Sequence, residues 1–183
     1  MTIRSIAAAV AAFAAIASTP ALAELPSGAI APDFAAKGAL AGKPFGFSLK
    51  QALKRGPVVL YFYPKAFTQG CTLEAHAFAE ASDDFKAAGA TVVGMSNDDN
   101  ATLQKFSTEA CRDKFAVASA SPAVIKAYDV DLVRDGKSTG LTKRTSYVIG
   151  QNGKVVMVHS DMDYRDHVKM TLDAVRKLKS RKG

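Results

Sequence analysis

Residues 58–71 read Val58-Val59-Leu60-Tyr61-Phe62-Tyr63-Pro64-Lys65-Ala66-Phe67-Thr68-Gln69-Gly70-Cys71, and this stretch decides the fold. Its first six residues are apolar or aromatic and β-favouring, with no charge among them. A strand with one wet face alternates apolar and polar residues. An unbroken run fits a strand covered on both faces, in the middle of an α/β sheet. Pro64 has no N–H for a ladder and ends the strand. Beyond it, Phe78, Ala81 and Phe85 recur at helical spacing until Gly89. The residues between form a strand-to-helix loop, and Cys71 falls in the first helical turn.

Working outward, Ala31-Pro32-Asp33-Phe34 reads as an extended lead-in, and Leu49 to Leu53 as a short helix stopped by Gly56-Pro57. Thr91 to Met95 predicts the next strand. Asn100 is a fair N-cap for a helix carrying Leu103 and Phe106. Phe115 to Val117 reads as a short strand, and Pro122 opens a short helix through Ile125 and Tyr128. Arg144 to Ile149 and Lys154 to His159 read as two strands joined at Asn152-Gly153, a favoured hairpin pair. From Asp163 a last helix carries Val168, Leu172, Val175 and Leu178 on one face. The order predicts an α/β thioredoxin-like fold, a central mixed β-sheet flanked by α-helices, with parallel strands extended by an antiparallel hairpin.

The N-terminal residues stand apart from this pattern. Arg4 is followed by an apolar, alanine-rich run from Ile6 to Ala17 and by Ala21-Leu22-Ala23. This is the plan of a secretory signal peptide over residues 1–23, leaving one domain over residues 24–183. The apolar run is too short to span a membrane, which takes roughly 18 or more residues. A periplasmic or secreted protein is expected. The formal charge is +7, with a cluster at Arg176, Lys177, Lys179, Arg181 and Lys182. Such a run is ordinarily a solvated helix end, where cations complement the dipole. Neither nucleic acid nor a membrane is therefore expected as a partner. Cys71 and Cys111 are the only two cysteines of the 183 residues, at no zinc-site spacing. Export permits them to pair.

A cysteine in a first helical turn faces unpaired backbone N–H groups and the positive end of the helix dipole. Both favour the thiolate, which is the reactive form. A thiolate displaces hydroxide from an O–O bond and becomes a sulfenic acid. Thr68, three residues earlier, brings a hydroxyl towards the sulfur, and Pro64 closes one wall. Glu74, three residues later, either caps the helix or holds an arginine. Each residue alone has a plainer reading. A buried cysteine is usually an inert hydrophobe, a threonine a cap and an arginine a surface ion-pair partner.

Taken together, Pro64, Thr68 and Cys71 match the Pro-x-x-x-Thr-x-x-Cys signature, and the chain resembles the peroxiredoxins. Val58 to Cys71, with Thr72 and Glu74, is similar to the bacterioferritin comigratory protein (peroxiredoxin Q) subfamily. Ala31-Pro32-Asp33-Phe34 and Arg144-Thr145-Ser146-Tyr147-Val148-Ile149 match further family positions, so the resemblance runs from about Ala31 to Val158. It implies that Cys71 reduces hydrogen peroxide or alkyl hydroperoxides, and that Arg144 stabilises the thiolate and polarises the peroxide. It also implies a monomer that uses no cofactor and is recycled by a thioredoxin-like dithiol reductant.

The chain departs from the subfamily at His76, where many members carry a second cysteine. Another family variant places the resolving cysteine later, and Cys111 stands where that variant implies an intramolecular disulfide with Cys71. A one-cysteine enzyme with Cys111 merely buried remains open, and a permanent structural disulfide ranks last because it would consume the nucleophile. No phosphate loop, paired carboxylates or Ser/His/Asp arrangement is visible. The absence of Cys-x-x-Cys argues against a thioredoxin-type exchanger. Three scattered histidines, His76, His159 and His167, read more readily as surface residues than as a metal site, which nothing else in the sequence supports. Two other functions fit the same residues: a redox-responsive binding protein that reacts once through Cys71 without turnover, and a metal carrier.

Overall fold

The computed structural model describes residues 24–180. The predicted signal peptide, Arg181 and Lys182 lie outside them. The elements in chain order are β1 (Ala35–Leu40), β2 (Lys43–Ser48), α1 (Leu49–Leu53), β3 (Val58–Phe62), α2 (Gln69–Glu80), α3 (Ser82–Ala87), β4 (Thr91–Ser96) and α4 (Asn100–Glu109). They continue with β5 (Ala116–Ser119), α5 (Pro122–Ala127), β6 (Asp131–Arg134), β7 (Lys137–Thr142), β8 (Thr145–Ile149), β9 (Val155–Ser160) and α6 (His167–Ser180).

Seven strands form one mixed sheet in the order β2-β1-β5-β4-β3-β8-β9. The β3–β4 and β4–β5 pairs are parallel, and the remaining pairs are antiparallel. All five residues of β3 are buried, as its unbroken apolar run requires of a central strand. Val59 and Tyr61, with Tyr63 just beyond, face one layer of the core, which also holds Cys71, Phe78, Phe106 and Cys111. Val58, Leu60 and Phe62 face the other, with Tyr128 and Tyr147. Tyr61 stacks on Phe78 of α2 with ring centroids 4.3 Å apart, and Tyr63 stacks on Phe106 of α4 at 5.3 Å. These contacts seat both helices on the site-bearing strand.

Several local details differ from the sequence reading. The helix predicted through Phe78 and Phe85 is two, because Ala81 leaves helical geometry at φ −84°, ψ 2°. Asp99, not Asn100, caps α4, accepting from Thr102 N at 2.8 Å. The β8–β9 connection is wider than a two-residue turn: Gly150 N bonds Lys154 O, and Gly153 takes a positive φ of 76°. The last helix starts at His167 rather than Asp163. Two hairpins were not anticipated, β1–β2 and β6–β7. Each turns on two residues of positive φ, Ala41-Gly42 and Asp135-Gly136. Among the described residues no helix is long and apolar enough to cross a membrane.

Candidate active site around Cys71

The β3 strand delivers the chain to Tyr63 and Pro64, and the next four residues form a tethered loop. Ala66 N donates to Asp98 Oδ2 at 2.8 Å, and the Ser96 hydroxyl donates to the same oxygen at 2.8 Å. The loop is thereby pinned to the end of β4. Phe67 holds a φ of 64°, a left-handed conformation uncommon for a bulky side chain, and its ring meets Phe106 edge-on at 5.2 Å. Thr68 is the N-cap residue of α2 and Pro64 lies half-buried behind it.

Cys71 is the third residue of α2 and is 1% exposed. Cys71 therefore stands in the first turn of α2, where the loop-to-helix reading places it. The Thr68 hydroxyl donates to Lys65 O at 2.9 Å rather than to the sulfur. Its proton is therefore engaged, and its lone pairs stay open to a donor.

Arg144 stands one residue beyond the antiparallel Phe62–Thr145 pair, just ahead of β8 and not within it as the sequence suggested. The segment before it is fastened by the Thr142 hydroxyl, which donates to Tyr63 O at 2.7 Å. The guanidinium is 5% exposed and makes three kinds of contact. Nη2 donates to Cys71 Sγ at 3.5 Å, Nε donates to Met162 O at 2.9 Å, and Nη1 donates to Glu74 Oε2. Of the two roles open to Glu74, the structure has the second: it holds the arginine. Glu74 is fully buried, and burial pushes its carboxyl up to about 8 despite the opposing pull of Arg144.

Cys71 thus has one fixed cation against it and a polar loop beside it. Cys111 lies immediately after α4, fully buried, and burial pushes its thiol up. Both thiols are free. They share one core layer, and charge on either is felt by the Tyr61 and Tyr63 hydroxyls. His76 takes no part in the site, whereas His159 and His167 stand together with ring centroids 4.6 Å apart. Among the described residues no group of three or more His, Cys, Asp or Glu is placed to hold a metal.

A match to the AhpC/TSA family covers residues 27–158. The chain belongs to the AhpC/TSA family. Its relatives include the chloroplastic peroxiredoxin Q of Sedum lineare, 33% identical over 139 residues, which cover 75% of this chain and 72% of that one. The crystal structure of peroxidoxin BcpB from Mycobacterium tuberculosis superposes with a TM-score of 0.70 at 33% identity, covering 83% of this chain and 97% of the other. The bacterioferritin comigratory protein of Xanthomonas campestris does so with a TM-score of 0.68 at 27% identity, covering 78% and 91%. The fold is the thioredoxin-like fold of the peroxiredoxins, and the chain is a peroxiredoxin-type thiol peroxidase of the Bcp and peroxiredoxin Q kind.

Gly70 and Ser146 also border this site and were not singled out from sequence, and His167 was weighed there only as a metal ligand. Gly70 precedes Cys71, and a Cβ there would stand 3.2 Å from Arg144 Nη2. The three contacts of the guanidinium leave it little room to yield. Alanine at a helical position otherwise favours the helix by up to about 1 kcal/mol. Gly70→Ala protein should therefore melt no earlier than the parent while reacting with peroxide about tenfold more slowly, an effect of about 1.4 kcal/mol. Stopped-flow rates beside a thermal melt check this; an unchanged rate would show that the guanidinium can shift without loss.

Proposed function

We propose that Cys71 is the peroxide-reacting residue, with Arg144, Thr68 and Pro64 around it, and that Cys111 resolves the product. The observation that carries this reading is the Arg144 Nη2 contact to Cys71 Sγ at a helix start. The thiolate attacks one peroxide oxygen and the O–O bond breaks. The departing oxygen takes a proton and leaves as water or an alcohol. Sulfur is oxidised to the sulfenic acid while the peroxide is reduced. Arg144 donates to the thiolate and to the charge growing on the leaving oxygen, a task suited to a planar cation that never loses its proton. The Thr68 lone pairs accept the peroxide proton. Hydrogen peroxide and alkyl hydroperoxides are both taken as substrates. The Xanthomonas relative, described for its alkyl peroxide reduction activity, supports the second class.

Cys111 sulfur then attacks the sulfenic sulfur, water leaves, and a Cys71–Cys111 disulfide forms. An external dithiol returns two electrons. A disulfide needs Cα atoms roughly 4.4–6.8 Å apart, and both thiols start buried in the core. In this reading the first turn of α2 opens before resolution, and the burial that keeps Cys111 protonated is relieved before it attacks. Export belongs to the same reading: Arg4, the 6–17 run and Ala21-Leu22-Ala23 direct the chain out of the cytoplasm, so the dithiol is a protein of that compartment.

Mass spectrometry after one equivalent of peroxide tests the cycle. The expected product is the Cys71–Cys111 peptide pair, two hydrogens lighter than the reduced pair. A sulfenic acid on Cys71 that persists without a link would replace it with a one-cysteine cycle. A single reaction that a dithiol does not reverse would make the protein a sensor.

A further inference from the structure

Behind the Arg144–Glu74 ion pair lies a buried imidazole that the peroxide chemistry does not use. His167, the first residue of α6, is fully buried. Its Nε2 lies 3.0 Å from the carbonyl oxygen of Asp161, which can only accept, so Nε2 carries the proton. Nδ1 is then the acceptor of the ring. It accepts from the Ser146 hydroxyl at 2.8 Å, and Glu74 Oε1 stands 3.7 Å away, outside hydrogen-bond reach. Glu74 Oε1 is itself buried and makes no hydrogen bond. The imidazole thus offers Oε1 no proton, and an ionised oxygen there would be buried without a donor, a cost that a proton on Oε1 removes. The charge count agrees. With Cys71 as thiolate and Glu74 as carboxylate, two buried anions share one guanidinium, and burial penalises the surplus. A proton on Glu74 leaves one anion against one cation.

We propose that His167 is a positioning residue for the reactive centre: it keeps a proton on Glu74 in the reduced protein, so that the charge of Arg144 is left to the sulfur. This rests on the reading of Cys71 above and deepens it. Burial lifts Glu74 to about 8 and lowers His167 to about 4, so the pair holds one proton between those values. The other groups facing the pair come from every neighbouring element. Cys71 on α2 and Tyr61 on β3 lie on the Glu74 side, and Arg144 leads into β8. His159 on β9 and Asp161 and Asp163 in the loop before α6 lie on the His167 side. Arg144 and His159 oppose a charge on His167, and Asp161 favours one.

Infrared spectra of the reduced full-length protein, taken across pH, test this directly. The expected wild-type spectrum has a protonated-carboxyl band at neutral pH that is lost as pH rises through about 8 and is absent from Glu74→Gln protein. In His167→Gln protein the new amide donates to Glu74 and favours its ionised form. The band should then vanish at least about one pH unit lower, and the peroxide rate constant at neutral pH should fall about tenfold, the equivalent of that one unit. Added to Glu74→Gln, the same change should alter the rate by less than about twofold, because the group it acts through is gone. A histidine that merely packs α6 would lower stability and leave the Glu74 band where it was, which overturns the proposal. So does a wild-type protein with no such band at neutral pH, even if His167→Gln protein fails to fold. Wild-type protein that reduces no peroxide would instead sink the reading of Cys71, and the infrared titration would still be judged by itself.

Discussion

Arg144→Leu protein should reduce peroxide about one to two decades more slowly than the parent, the equivalent of one lost charge-assisted hydrogen bond of roughly 1.5–3 kcal/mol. The same change should also cost stability, because it strips the cation from a fully buried carboxyl. Removing one partner of a buried pair costs about 3–5 kcal/mol when the other must stay charged. Glu74 has its folded value raised above the ordinary 4.5, to about 8. The cost of ionising it inside the fold therefore begins as pH passes 4.5 and is complete above the folded value. The variant should be mildly destabilised at neutral pH and more so in alkali, which denaturant titrations at two pH values would reveal. Arg144→Lys should recover only part of the rate. An ammonium is a point donor and cannot hold Cys71, Glu74 and Met162 in one plane as the guanidinium does. A variant with parental rate would mean that the cation does not touch the reacting atoms.

Cys71→Ser protein should consume no peroxide at all while keeping the parent fold. Oxygen replaces sulfur with little change of shape, and the hydroxyl still fills a site that is 1% exposed beside Arg144. What disappears is the sulfur, since an alcohol does not ionise at neutral pH and is a far weaker nucleophile towards an O–O bond than a thiolate. The measurement is peroxide consumption with a dithiol present, beside a melting curve to show the fold intact. Turnover surviving in this protein would end the assignment of Cys71. Cys111 offers no replacement, because burial keeps it protonated in the folded state.

What the sequence disclosed about this site was local and ordered along the chain. The unbroken run from Val58 to Tyr63 announced a central strand because full burial leaves no place for a polar residue. Pro64 and the helical spacing after it located the loop, and so placed Cys71 at a helix start. Arg144 came from a resemblance rather than from any pattern in its own neighbourhood. The Glu74–His167 contact was not legible at all. It joins α2 to α6 through space, and a single histidine at a helix start looks the same whether it faces solvent or a carboxyl. The β1–β2 hairpin was hidden because Ala35–Leu40 is built from alanine, glycine and lysine, which carry little strand preference. The β6–β7 hairpin did carry a signal in Asp135-Gly136, but its strands are polar and mostly exposed, so no hydrophobic alternation drew attention to them.

Phe67 stands between the loop that leads to Cys71 and the helix that leads to Cys111. Its backbone sits in a region that costs a residue with a side chain of order 1–3 kcal/mol, and its ring leans on Phe106 of the helix that runs into Cys111. The closed loop is in this sense a cocked latch. Were the start of α2 to open in the proposed resolution step, that residue would relax to an ordinary conformation and withdraw from Phe106 in the same movement. The release would then offset part of the work of uncovering Cys71 and loosen α4, the helix that leads to Cys111, in that step.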